Sequence, residues 1–213
     1  MEESTTKEKI LKKVRNALIS KLENPFKDVD FSKPIYNDLK EDPEVQFAIN
    51  LNETGGTFVY CENEKAIAEN LKLLKKQKGW DHIYCIDERL TKFLVTEGVN
   101  IDDDPGNFLE QKIGITRCEY LISRFGSVMV SSAIMSGRRM FVFPEVHIIV
   151  ASVSQVVPEL KDALEGMTQN YQNNFPSQLT VITGPSRTAD IEKTLVMGAH
   201  GPKELYVFMV DNV

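Results

Sequence analysis

The chain has 213 residues, 42% of them hydrophobic and 26% charged, with a formal net charge of −6 at pH 7. That balance fits one globular domain with a small N-terminal appendage and argues against wide contact with nucleic acid or an anionic membrane. No run reaches the roughly 18 apolar residues of a membrane helix, and the polar start MEESTTKEKI lacks the apolar centre of a signal peptide. Three scattered cysteines (Cys61, Cys85, Cys118) make neither a disulfide framework nor a four-thiolate cluster. They are expected to be small buried hydrophobes in a cytoplasmic protein.

Residues 5–21 are expected to form a helix, capped by Thr5 or Thr6, with Ile10, Leu11, Val14, Leu18 and Leu22 in one stripe. Its lysines (Lys7, Lys9, Lys12, Lys13) suit the solvated face of a helix packed on the domain or on a partner chain. Residues 23–44 hold Pro25, Pro34 and Pro43 without periodicity and are expected to be extended. This divides the chain into an N-terminal helix and linker, 1–42, and an α/β domain, 43–213. A helix from Pro43 to Asn52 ends at Gly55-Gly56. Strand Phe58–Cys61, helix 63–78, strand His82–Ile86 and helix Glu88–Glu97 then alternate, which predicts a largely parallel sheet in a three-layer α/β fold. Further on, the pattern predicts strand Ile113–Thr116, a short helix over 117–124 and strand Ser127–Val130. Met140–Phe143 and Val146–Val150 follow too closely for helices between them, so this stretch is expected to be hairpin-linked, antiparallel or mixed strands. A helix from about Pro158 to Gln172 leads to the C-terminus.

The C-terminal stretch has two apolar runs, Leu179–Ile182 and Leu205–Val210, separated by Thr183-Gly184-Pro185-Ser186-Arg187-Thr188, a short amphipathic segment, and Gly198-Ala199-His200-Gly201-Pro202. Strand, turn, helix, turn and strand in that order predict one βαβ unit. A glycine turn feeding a helix start can hold an anion on free backbone amides, and Arg187 adds a bidentate guanidinium. The same residues equally suit a plain helix cap, with Ser186 and Thr188 as the capping hydroxyls and Arg187 in solvent.

FVFPEVHIIV (141–150), SQVVPEL (154–160), TGPSRTADIE (183–192) and GAHGP (198–202) together resemble the lactate-utilisation protein C (LutC/YkgG) family, whose module is the LUD domain. The resemblance is closest over residues 110–213. It implies an α/β fold like the NagB/RpiA/CoA-transferase group and a role in oxidising L-lactate to pyruvate. It also implies partner subunits that carry iron–sulfur clusters, a second LUD-containing chain, and no cofactor bound by this chain itself. Where the family pattern has an acidic residue and a threonine before Gly126, this chain has Arg124 and Phe125.

The fold likeness implies a ligand at strand ends, so Thr183, Gly184, Pro185, Ser186, Arg187 and Thr188 are candidates to bind a small anionic metabolite: lactate, pyruvate or a phosphate compound. Asp190 and Glu192 are two apart on the expected helix, so at most one faces that ligand, and Asp190 in the first turn is the candidate. His200, in a glycine turn beside Gly201, can act as general acid or base or simply bond to backbone. Gly126 and Ser127, which open a strand, and Glu53 at a helix end are further ligand candidates. His147 alternates with Val146 and Ile148 and is expected in the core. The histidines are too scattered for a metal site, and no nucleophile elbow, P-loop or dinucleotide fingerprint is present. Two other functions stay open: a non-catalytic assembly or regulatory subunit that docks through its N-terminal helix, and a stand-alone transferase or isomerase for phosphorylated or CoA-linked substrates.

Overall fold

The structure is a computed structural model that describes residues 5–19, 25–30, 33, 36–188 and 196–211. The chain divides into two compact units, residues 1–38 and 39–213. In the first, helix α1 (Thr6–Ile19) starts at Thr5, whose hydroxyl accepts from the Glu8 amide while the Glu8 carboxylate accepts from the Thr5 amide. None of its residues is buried; Ile10, Leu11, Val14 and Leu18 are each more than half exposed.

The second unit begins with α2 (Pro43–Glu53), β1 (Thr57–Cys61), α3 (Glu64–Lys78), β2 (Ile83–Tyr84), α4 (Glu88–Thr96) and β3 (Ile101–Asp102). Local chemistry sets these boundaries. The Asn63 and Asp87 side chains accept the Ala66 and Leu90 amides and so cap α3 and α4, and Gly79 ends α3 in the left-handed region. Next come β4 (Ile113–Arg117), β5 (Tyr120–Ile122), β6 (Ser127–Ser131), β7 (Val146–Ser152), β8 (Val156–Val157) and α5 (Leu160–Tyr171). The chain closes with β9 (Leu179–Ile182), β10 (Arg187–Thr188), β11 (Val196–Met197) and β12 (Glu204–Val210).

Six strands form the central sheet in the order β1-β12-β7-β4-β2-β3, and every neighbouring pair is parallel. This is the α/β class and the largely parallel sheet that the alternation implied. Because the inner strands are covered on both faces, they are apolar almost throughout. On one face Ile115, Ile148, Val150 and Phe208 meet Ile67 and Leu71 of α3 and Leu90 and Leu94 of α4. On the other, Ile149, Val207 and Met209 meet Phe47 and Leu51 of α2 and Leu121, Val128 and Val130 of a second sheet. That sheet has the order β8-β5-β6-β9, and α5 covers its outer side through Ala163 and Met167.

The second sheet accounts for the local misreadings. Residues 117–124 are not a helix but β5 followed by a tight 3-10 turn, Ser123–Phe125. Cys118, Leu121 and Ile122 mimic helical spacing, yet Leu121 and Ile122 are buried because β5 pairs with both β6 and β8. Met140–Phe143 is likewise not a strand. Arg138–Phe141 is a 3-10 turn that sends Met140 and Phe141 into different apolar clusters. The hairpin that does form joins β6 to β5, which was expected to be helical, whereas β4 and β7 are parallel neighbours. Nor is the C-terminus one βαβ unit. β9 pairs antiparallel with β6 in the second sheet while β12 lies between β1 and β7 in the first, and β10 and β11 pair antiparallel. The helix expected in between falls on 189–195, outside the described residues.

Helix α2 lies between the two sheets and is gripped by a turn of the second. Gly126 has φ +57° and approaches so closely that a Cβ would fall 2.2 Å from the Leu51 amide nitrogen. Asn50 donates to the carbonyls of Ser123 and Arg124 at 2.8 and 3.0 Å, and Ser123 donates to the Pro43 carbonyl at 2.7 Å. Gly126→Ala should therefore cost at least about 3 kcal/mol in urea denaturation, because backbone, not a side-chain tip, must move. Gly79→Ala, also left-handed but facing open space, should cost only about 1 kcal/mol.

Candidate functional site

The loop after β9 packs onto the end of α2. Gly184 is buried at φ +71°, and a Cβ there would lie 2.3 Å from the Thr54 carbonyl oxygen. Arg187 donates to that same carbonyl, in the position where a cation complements the C-terminal end of a helix. The Ser186 amide donates to the Pro202 carbonyl at 2.8 Å, and the Ser186 carbonyl accepts from Gly198 at 2.9 Å. Thr183 shares a 2.7 Å hydroxyl contact with Ser127, Pro185 is buried near Gly55, and Thr188 pairs with Val196. In this arrangement the Ser186 amide donates to a protein carbonyl and the exposed Arg187 commits one guanidinium nitrogen to the Thr54 carbonyl, so the loop buttresses the end of α2. Nor does the loop follow a parallel strand, since β9 belongs to the antiparallel part of the second sheet.

What the buttress supports is the turn before β12. The Lys203 and Glu204 amides both donate to the Glu145 carbonyl, at 2.7 and 3.2 Å, which ties the entry of β12 to the entry of β7. Between these entries lies a cleft of about 360 Å³ bordered by Arg139, Phe143, Pro144, Glu145, His200 and Lys203, with Gly198 and Gly201 in its wall. His200 is exposed. Lys203 and Glu145 form a 2.8 Å ion pair, and that hydrogen bond holds the Glu145 carboxyl below its ordinary range. Arg139 places its guanidinium carbon 4.8 Å from the centre of the Phe108 ring, and among the described residues no carboxylate pairs with it. With Arg139 and Lys203 against Glu145, the cleft carries a surplus positive charge suited to one small anion.

Of the sequence candidates, then, His200 and Gly201 line the cleft and Ser186 supports it. Gly126 is turned to helix packing, Glu53 is exposed at the end of α2, and Asp190 lies outside the described residues. Arg139, Glu145 and Lys203 were not singled out from sequence. The signal for Arg139 was the Arg138-Arg139 pair after a glycine, in a loop between two apolar strands.

A family model, the LUD domain, matches residues 106–210, which contain the whole cleft. Lactate utilization protein C of Bacillus subtilis (strain 168) is 34% identical over 139 residues, spanning 60% of this chain and 58% of that protein. The Escherichia coli (strain K12) protein YkgG is 34% identical over 188 residues, spanning 80% and 79%. The chain belongs to the LUD-domain, LutC/YkgG family. A solved structure alike in fold, a DUF162 family protein from Deinococcus radiodurans, superposes with a TM-score of 0.57 at 19% identity over 79% of this chain and 96% of that one.

At the position where this LUD chain departs from the family pattern, Arg124 forms a 2.8 Å ion pair with Glu159 at the start of α5. His147 is fully buried in β7, with Nε2 2.8 Å from the Thr116 hydroxyl and Nδ1 without a partner among the described residues. Burial pushes its pKa down to about 3, so the ring is neutral and serves as core, as expected. Unfolding frees it to take a proton below its ordinary pKa near 6.5. The stability tied to His147 is thus complete above about pH 6.5 and drains away toward pH 3, at up to roughly 1.4 kcal/mol per pH unit. His147→Met should flatten this acid limb, read as the melting temperature between pH 7.5 and 5 relative to wild type.

Proposed function

We propose that this LUD-domain chain is a lactate-utilisation protein that binds a small anionic metabolite (L-lactate, pyruvate or a phosphate compound) in the cleft beside His200. The observation that carries this reading is the meeting of Arg139, His200 and Lys203 around one cleft, in a chain whose relatives include proteins named Lactate utilization protein C. The Arg139 guanidinium, which has no carboxylate partner among the described residues, suits a bidentate carboxylate. His200, in an open turn, is the general base for the hydroxyl of a bound 2-hydroxy acid. Oxidising lactate to pyruvate removes two electrons and two protons. In this reading the chain orients the carboxylate and His200 accepts the hydroxyl proton, while the C2 hydrogen and the two electrons would pass to a redox acceptor in partner subunits that carry iron–sulfur clusters, beside a second LUD-containing chain in the cytoplasm. The buttress from Thr183 to Thr188 fixes the His200 turn by backbone contacts and leaves the ligand to the cleft.

A second reading, an assembly subunit without its own chemistry, is favoured by α1, whose apolar stripe is wholly exposed. Thermal shift assays with L-lactate, pyruvate and inorganic phosphate separate the two. The metabolite reading expects a rise in melting temperature that Arg139→Ala abolishes and His200→Ala reduces. Arg187→Ala should instead lower the starting melting temperature and keep the ligand-induced rise. An unchanged rise in Arg139→Ala, or none in wild type, rejects the cleft as the site. Co-purification of iron–sulfur subunits that is lost only on deleting residues 1–30 then favours assembly.

A further inference from the structure

Arg139 also borders a second cavity, of about 390 Å³, that the lactate reading leaves unused. Its apolar wall is Tyr84 and Ile86, at the end of β2, with Pro105 and Phe108. Tyr84 and Phe108 pack edge to face with centroids 5.8 Å apart. The opposite wall is the loop Met135–Arg139 between β6 and β7. That size and mixture, mostly apolar with a few converging polar groups, is what small-molecule sites show.

Two features of the loop are unexplained by folding alone. Ser136 is 2% exposed, yet among the described residues its hydroxyl has no hydrogen-bond partner, an arrangement that buried polar groups rarely keep. Gly137 is left-handed at φ +70°, and a Cβ built there would meet nothing within 4 Å, so the backbone borders open space. Arg138 donates to the Ser177 hydroxyl and keeps other guanidinium donors, while Arg139 lies over Phe108. Charge on the far side limits what fits. Burial, then the carboxylates of Asp102 and Asp104, push the Tyr84 phenol up, so it stays protonated while those acids oppose a second negative charge.

We propose that this cavity is a second binding site, adjoining the first at Arg139, for a monoanionic organic acid that carries an aromatic ring, such as an arylpyruvate. Its carboxylate lies between Arg138 and Arg139 with the Ser136 hydroxyl as a further donor, and its ring rests against Phe108 and Tyr84. The site shares Arg139 with the first cleft, so the two acids compete for that guanidinium; Ser136 and Arg138 belong to this site alone and His200 and Lys203 to the other, so variants at those positions tell the two readings apart.

Isothermal titration of the full chain with phenylpyruvate and pyruvate tests it. Wild type should bind phenylpyruvate at least about tenfold more tightly than pyruvate. Ser136→Ala and Arg138→Gln, the latter an exposed position that leaves folding intact, should each weaken phenylpyruvate about fivefold or more. His200→Ala should not change it. Equal affinity for the two acids, no binding at about 10 mM, or phenylpyruvate binding that survives both loop variants overturns the proposal. Loss in His200→Ala alone also overturns it and assigns the acid to the first cleft. Phenylpyruvate binding sensitive to Ser136, with no binding of pyruvate, upholds this site and counts against the lactate reading.

Discussion

The close approach of two left-handed glycines to helix α2 is the constraint on which the two-sheet arrangement depends. Gly126 presses on the backbone at Asn50 and Leu51, and Gly184 on the carbonyl of Thr54, each at distances where a Cβ has no room. Both contacts join residues far apart in sequence, and each brings a loop of the second sheet onto α2, whose inner face alone, Phe47 and Leu51, is buried. With α2 held at both points, Phe47 and Leu51 fill the space between Val207 and Val128. The turn carrying His200 gains a fixed neighbour in Ser186.

Sequence carried the central sheet well because β4, β7 and β12 are apolar runs buried on both faces, and β2 and β3 each follow a helix with a recognisable cap, Asn63 or Asp87. It carried the second sheet poorly. Tyr120–Ile122 is three residues long and owes its strand conformation to partners on both sides rather than to its own period. The GPSR segment illustrates a different limit. A glycine, a proline, a hydroxyl and an arginine serve an anion and a helix end through the same donors, and the contact of this segment with Thr54 has no local signature in the sequence. His200 and Gly201 were legible as a polar turn. Their neighbour Arg139 was not, because the partnership spans about sixty residues and leaves no local pattern.

Electrostatics at the cleft are set by subtraction rather than by accumulation. The Lys203–Glu145 pair cancels itself and also ties two strand entries together, so Arg139 supplies the surplus charge. Exposed pairs of this kind add little stability, roughly 0–1 kcal/mol, so the pair matters more for where it holds the backbone. Histidine 147 shows the opposite economy, a titratable ring kept neutral by complete burial at the cost of acid tolerance.

The position of β12 in the central sheet bears on biosynthesis. It is the final strand in chain order, yet it occupies the slot between β1 and β7. Until residues 204–210 leave the ribosome, the nascent sheet has a gap: β7 shows one bare ladder of amides and carbonyls, and β1 has no neighbour at all. Unfilled, apolar edges of that sort are where stray strands add. Such a chain would gain from shielding by a holdase during translation, and the whole sheet would zip up only once the closing strand slides in.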